Sequence, residues 1–475
     1  MKTPIFGPFY VSLSSNLAAD RLVNLYPEIV ETRQGKAVGA LYSTPGLTLK
    51  LTVGSGPIQG FHLFKDLLYV VSGNVLYSVS GAWAVTEIGA VGGGGPVSII
   101  DNGSQMAVFN GAVGYLWNGT VLNSITLPFT GAVGSIFATQ QDGFGLINQP
   151  GTSLWFQSDL LDLGTWNALN FGDASGDPDL LIRPVMIRRE IWLIKQFETE
   201  IWYNAGTAGF SFARVDGLYI EHGINAPQSL VIDGEDLFWL SQSRSGQNVV
   251  VMSRGNEVVR ISTHGVEAAI NAYSATSDAV GFSYQQNGHE FYVLNFPSGD
   301  ATWVYDKTVS QLAGAPMWHE RGYFQNGQLT RARPNCQALF NGLNIVGDYS
   351  NGNLYAYDLG AYTDNGAAIK RLRAWRALKE PSYQPVRFSQ LNIDMETGIT
   401  VAPDANPQMV LRWSDDGAHT WSTERYASAG KAGQTAARVQ FNRLGSTRRN
   451  SGLDRIFELS TTDPFRVAII NADLV

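Results

Sequence analysis

Residues 67–80 read "LLYVVSGNVLYSVS": an apolar run, a Gly-Asn turn, then a second run carrying a tyrosine. The same phrase returns as "MAVFNGAVGYLWNG" (106–119), "FGLINQPGTSLWFQS" (144–158), "IWLIKQFETEIWYNAG" (191–206), "LFWLSQSRSGQNVVVMSRG" (237–255), "FYVLNFPSGDATWVYDKT" (291–308) and "NIVGDYSNGNLYAYDLG" (344–360). Apolar runs this short fit either a strand or a buried piece of helix. Their β-branched content and the glycines between them favour strands. The first strands begin at Leu68, Met106, Phe144, Ile191, Leu237, Phe291 and Ile345. They are therefore spaced close to the roughly 40–50 residues of a propeller blade. A buried strand followed by an aromatic-bearing one suits the two middle strands of a blade. The reading is an all-β chain built on a β-propeller of six or seven blades, with seven favoured.

Beyond "LGAYTDNGAAIKRLRAWRALKEPSYQP" (359–385) the pattern changes to runs of period two, among them "VRFSQLNIDMETG", "PQMVLRWSDDG" and "PFRVAIINADL", separated by Gly, Pro and Asp turns. Such runs predict a C-terminal β-sandwich. The expected division is 1–60 as an N-terminal arm and closing-strand region, 61–365 as the propeller and 366–475 as the sandwich. Inside the last part lies "WSDDGAHTWS", with Ser414, Asp415, Asp416, Gly417, Thr420 and Trp421. It approximates the Ser-x-Asp-x-Gly-x-Thr-Trp turn of sialidases, with Ala418 where that pattern has glycine. Such a turn is a hairpin device whose serine and aspartate bond turn amides, and it carries no chemistry. Trp413 and Trp421 are expected on the flanking strands, with no ligand nearby.

Of the 475 residues 44% are hydrophobic and only 16% charged, with 51 glycines, 19 tyrosines, 23 phenylalanines and 12 tryptophans, as suits strands, aromatic plugs and tight turns. Cys336 is the single cysteine, which excludes an intrachain disulfide framework and thiolate metal clusters. "MKTPIFGPFY" lacks the apolar core of a secretory signal, and no run is long enough for a membrane anchor. Charge is unevenly placed. Residues 1–369 hold 18 basic and 30 acidic groups, whereas residues 370–475 hold 15 basic and 11 acidic. Between Lys65 and Arg183 there is no Lys or Arg, but nine Asp or Glu. That span is no nucleic-acid grip; it is either solubilising surface or a wall that must not hold a polyanion. Asp142, Asp159 and Asp162 are its candidate lumen-facing acids. The basic residues Arg371, Arg373, Arg376, Arg448 and Arg449 are candidates for contacts with acidic neighbouring subunits.

Catalytic and metal chemistry finds little purchase. No two of the six histidines (His62, His222, His264, His289, His319, His419) are spaced as zinc ligands. "AVGGGGPVS" lacks the Gly-Lys-Ser/Thr of a phosphate loop. "DASGDPD" (Asp173, Asp177, Asp179) lacks the regular oxygen spacing and distal Glu of a calcium loop, and reads as an acidic turn. A sialidase needs an arginine cluster drawn from several blades, and the first three repeats contain none. A glycan-binding or sialidase-like propeller is the alternative reading, and no cofactor, metal site or catalytic residue is expected.

Three longer phrases, in order, resemble one family. They are "NLYPEIVETRQGKAVGALYSTPGL" (24–47, with Thr44, Pro45 and Gly46), the central phrase from Phe171 to Leu230 (with Glu200, Tyr203 and Gly223), and "LRWSDDGAHTWS…VQFNRLG…RIFELSTTDPFRVAIINA". Together they are similar to the tail-nozzle, or packaged DNA stabilisation, proteins of short-tailed bacteriophages (podoviruses). The resemblance implies a non-enzymatic virion component, made in the host cytoplasm, that forms a homohexameric ring below the portal and its adaptor. It further implies that the ring extends the channel for double-stranded DNA without reading sequence, meets a tail needle or plug and tailspikes or fibres, retains the genome and takes part in ejection. A cyclic ring needs a heterologous interface, which an acidic propeller and a basic sandwich supply with unlike faces.

Overall fold

A computed structural model describes residues 2–14, 17–32, 34–131, 135–242, 244, 246–377, 385–400, 404–447 and 455–475. The seven phrases form seven antiparallel sheets among these residues: 58–90, 98–125, 138–173, 181–220, 223–260, 280–321, and 334–358 completed by Gly46–Thr52. We number them blades 1 to 7. The blades neighbour one another in cyclic order through their first strands, except that blade 5 meets the second strand of blade 4, and blade 7 returns to blade 1, so the sheets close a ring around an axis. The start of each phrase falls on the second strand of its blade. These second strands are buried almost throughout, as in Leu67–Ser72, Met106–Phe109 and Glu190–Lys195. A blade has neighbours on both faces, so a middle strand has no solvent side on which to alternate polar residues. That is why the phrases are continuous apolar runs.

The hydrophobic cores lie between blades. Trp155 of blade 3 meets Trp202 of blade 4 edge to face at 5.4 Å, Trp192 and Trp239 share the next core, and Phe238 stacks on Tyr292 at 5.2 Å between blades 5 and 6. Ring closure relies on the N-terminal region. Gly46–Thr52 runs antiparallel to Asn353–Asp358 as the outer strand of blade 7. Tight two-residue turns join several first and second strands, with left-handed backbone at both positions (Asp142-Gly143, Asn287-Gly288, Asn341-Gly342). Asp-Gly and Asn-Gly tolerate this conformation readily. Arg188-Arg189 adopts it as well. There the side chains reach the neighbouring blades: Arg188 bonds the Glu235 and Gly255 carbonyls of blade 5 and Arg189 reaches Asp142 of blade 3.

The sandwich is built from both ends of the chain. One sheet orders Leu25–Ile29, Gly39–Ser43, Ala468–Leu474, Arg387–Met395 and Val439–Ser446, with Lys2–Thr3 also on Ala468–Leu474. The other orders Ala19–Val23, Arg371–Arg376, Ile456–Thr461, Gln408–Ser414 and Arg425–Ser428. Their shared core holds Ile5, Leu22, Leu25 and Leu41 beside Trp375, Phe388, Leu391 and Phe457. The N-terminal residues, expected as an arm and a closing strand, thus divide: only Gly46–Thr52 serves the propeller, and most strands before it belong to the sandwich. Ala19–Val23 also runs parallel to Trp318–Arg321, the outer strand of blade 6. The blade sheet and the sandwich sheet are therefore continuous, and Arg21 clamps the seam with two bonds to Glu320 at 3.0 and 2.7 Å.

At this seam His319 is fully buried with neither ring nitrogen partnered. Burial, with Arg321 and His289 close by, holds its pKa well below the usual value. The unfolded chain takes up a proton near pH 6.5 that the folded chain refuses, so stability falls as pH drops through that value. His319→Phe is expected to flatten the stability–pH curve below pH 6.5 by up to about 1.4 kcal/mol per pH unit. Urea midpoints measured from pH 5 to 7.5 check this.

Candidate functional site

The "WSDDGAHTWS" hairpin joins Gln408–Ser414 to Arg425–Ser428 on an outer edge of the sandwich. Ser414 donates to the Asp416 carboxylate at 2.8 Å and accepts from the Ala418 amide at 3.0 Å. The Asp416 carboxylate also accepts from the Thr420 amide at 2.8 Å and from the Thr420 hydroxyl. Gly417 and Ala418 both have left-handed backbone, with φ of 72° and 71°. Ala418 therefore occupies the place of the missing glycine and bears the strain glycine would avoid. Ala418→Gly is expected to stabilise the chain by up to about 1 kcal/mol. Asp416→Ala is expected to cost about 1 kcal/mol through its turn bonds. Thermal unfolding of the two variants decides both. Trp413 lies on the first strand as expected. Trp421 precedes the second strand and lies half-buried beneath the Arg412 guanidinium at 4.6 Å.

Asp415 has a partner that the turn pattern does not announce. Its two carboxylate oxygens accept from Arg455 Nε and Nη2, both at 2.8 Å. Arg455 is 1% exposed, lies against the Trp413 and Phe388 rings, and also donates to the Leu444 and Ser446 carbonyls. This ion pair ties the hairpin to the sandwich core. Arg455 was visible in the sequence only as one of many C-terminal arginines.

Two basic residues expected at a subunit interface are inside the chain instead. Arg371 and Arg373 are each 1% exposed. Arg373 donates to the Ile5, Pro8 and Arg21 carbonyls and pairs with Asp20 at 3.1 Å, while Arg371 donates to the Tyr362 and Asp463 carbonyls. Their strand sits between Ala19–Val23 and Ile456–Thr461; Arg373 stitches the N-terminal segment to the sandwich, and Arg371 ties the Tyr362 carbonyl to that of Asp463. Arg376, at the end of the strand, is half-buried. Arg448 and Arg449 lie outside the described residues.

The three acids of blade 3 lie beside the turns at one end of its strands. Asp142 is bonded by Arg189 and Asn204 of blade 4, each at 3.0 Å. Asp162 accepts from the Gly164 amide, Thr165 and Gln105, and despite the opposing effect of burial these bonds lower its pKa. Asp159 is exposed. In "DASGDPD" the carboxylates diverge: Asp173 bonds Ser153, Asp177 pairs with Arg244, and Asp179 accepts from the Phe197 and Leu180 amides. Among the described residues no three His, Cys, Asp or Glu side chains gather as a metal ion requires. The loop is instead held from below by Lys195, fully buried, which donates to the Ala174 and Asp177 carbonyls and pairs with Glu200 at 2.9 Å and with Glu198. Burial opposes the Lys195 charge, but its bonds to Glu198 and Glu200 outweigh this and raise its pKa. Glu200 also accepts from the Gly176 amide and the Trp202 indole. Gly223 leaves room for backbone, since a Cβ there would fall 2.3 Å from Gln196 O and Phe197 N.

The family described as Bacteriophage P22 Gp10, beta-propeller, matches residues 1–361, and that described as Bacteriophage P22 Gp10, beta-sandwich, matches residues 372–474. No curated protein matches the chain. Similar solved structures include the extracellular domain of a hybrid two component system of B. thetaiotaomicron (8% identity, 77% of this chain and 43% of that one, TM-score 0.43). Another is the Neurospora crassa Pan2 WD40 domain (10% identity, 66% of this chain and 95% of that one, TM-score 0.41). The chain spans less than half the length of the first. At such scores these likenesses carry no weight for fold or function. The two family matches together take in nearly every residue, with the sandwich match beginning at the strand that pairs with Ala19–Val23. The chain belongs to the Bacteriophage P22 Gp10 family of tail-stabilisation proteins, structural and non-catalytic components of the viral tail.

Proposed function

We propose that the chain forms a homohexameric nozzle ring below the portal and its adaptor, extends the DNA channel, retains the packaged genome and takes part in its ejection. On this reading it is made in the bacterial host cytoplasm and meets the adaptor above, a needle or plug within, and tailspikes or fibres outside. The observation that carries the reading is the family match over both the propeller and the sandwich. The charge distribution supports it. Duplex DNA presents one negative charge per about 1.7 Å of axis, so a lumen lined with Lys and Arg would grip it and slow its passage. The span without Lys or Arg takes in blade 1 from Asp66 onward and all of blades 2 and 3. Of Asp142, Asp159 and Asp162, the first and last hold internal partners; Asp66 and Glu87 of blade 1 are further exposed acids.

The test places Lys at Asp66 and Glu87 together and times genome release from assembled particles. The expected result is normal assembly with release slowed several-fold, recovering as salt is raised, because phosphate contacts weaken steeply with ionic strength. Release at the unaltered rate from particles carrying both changes removes the acidic lumen. Particles that assemble and hold DNA without this protein remove the nozzle reading itself.

A further inference from the structure

Two apolar surfaces stand on opposite sides of the propeller. On blade 3 the turn between its third and fourth strands presents Leu160 and Leu161, 58% and 61% exposed, and the outer strand Asp162–Asp173 presents Leu169 at 79% and Phe171. In a ring of seven blades, blade 3 lies across from the seam of blades 6 and 7. There a groove runs between the sandwich and the helix Lys307–Ala313, lined by Phe6, Ile29, Val38, Leu312, Met317 and Ile470. Val38 is 71% exposed on its rim. Single exposed leucines need no explanation, but several large apolar side chains exposed on one strand and its turn mark a contact surface.

Charge selects the partner. Among the described residues the charged ones lining the groove are Lys2 and Lys36, while the Leu160-Leu161 tip is flanked by Asp159 and Asp162, with Arg189 of blade 4 held on Asp142 at the same end. Lys36 already engages Asp394 but is largely exposed, and Asp159 is exposed. An acidic apolar projection thus answers a basic apolar groove on the far side of the same molecule. Unlike surfaces on opposite sides join copies head to tail, and such contacts make a ring where the rotation between copies closes. We propose that the Leu160-Leu161 tip and Leu169 of one copy seat in the Phe6–Val38–Leu312 groove of the next. The contact rests on the ring reading above, and it assigns Asp159 to the neighbouring subunit and not to the lumen.

Two measurements test it. In assembled particles, Leu161→Cys combined with Val38→Cys should give disulfide-linked chains of several copies under mild oxidation, with each single variant giving none. In solution, under conditions where the unaltered protein forms rings by sedimentation, Leu160→Glu with Leu161→Glu should weaken association about 100-fold. Because both positions are exposed, the thermal unfolding of this variant should match that of the unaltered monomer. Adding Lys2→Glu should not restore association, whereas Asp159→Lys should weaken it in the otherwise unaltered chain. Rings that survive the paired glutamates, or particles containing both cysteines without inter-copy links, overturn this contact and leave the ring standing. An unaltered chain that never self-associates, with or without its neighbours in the tail, overturns both.

Discussion

Residues 366–475 expressed alone will fail to fold as a sandwich. The segment keeps its own period-two strands but loses Lys2–Thr3, Ala19–Val23, Leu25–Ile29 and Gly39–Ser43 from the two sheets. Ile5, Leu22, Leu25 and Leu41 leave the shared core, all at 1% exposure or less. Emptying one such leucine or isoleucine site costs about 2–5 kcal/mol, and four together are as large as the roughly 5–15 kcal/mol that stabilises a whole domain. Arg373 would also lose the Ile5, Pro8 and Arg21 carbonyls and the Asp20 carboxylate that satisfy it. Its strand would become an open sheet edge. The isolated segment should show no near-ultraviolet circular dichroism and poor amide dispersion by NMR, and co-expression with residues 1–52 should recover soluble material. A cooperative unfolding transition from the segment by itself would show that the N-terminal strands are accessory.

Asp415→Ala should be the most damaging single change in the hairpin. It leaves the Arg455 guanidinium buried between Trp413 and Phe388 with only carbonyl acceptors. Breaking one side of a buried ion pair costs about 3–5 kcal/mol, against about 1 kcal/mol for Asp416→Ala next door. Removing both charges in an Asp415→Leu, Arg455→Met pair should recover much of the loss, because no unpaired charge then remains inside. Urea unfolding of the three variants checks the order. Asp415→Ala proving no worse than Asp416→Ala would mean that water reaches Arg455 and screens it.

Legibility in the sequence followed the range of the interactions. Each blade is a local object of meandering strands, so its buried second strand and aromatic third strand fall within one short window and repeat along the chain. The bonds among Ser414, Asp416, Ala418 and Thr420 are local as well: they span four residues or fewer, and residue type alone points to them. The excess of aromatic and apolar residues, the basic-free span and the single cysteine are properties of composition and need no coordinates.

Partners distant in sequence were decided only by the tertiary structure. Arg371 and Arg373 sit in a basic cluster that reads as surface charge, yet their strand is covered on both edges by strands from elsewhere in the chain, and backbone carbonyls 350 and more residues away accept the Arg373 bonds. Nothing in the spelling of "RLRAWR" distinguishes an arginine that faces water from one whose acceptors arrive from the N-terminus. Asp415 reads as one of two equivalent turn acids, and only the approach of Arg455, forty residues on, separates an anchor from a turn former. The residues before Gly46 read as an arm because a strand that pairs with distant partners carries no local signature of them. Sequence by itself determined the blades, the hairpin and the charge map, since each arises from neighbours along the chain. The joining of the two chain ends into one sandwich, and the burial of its arginines, depended on which strands come together in space.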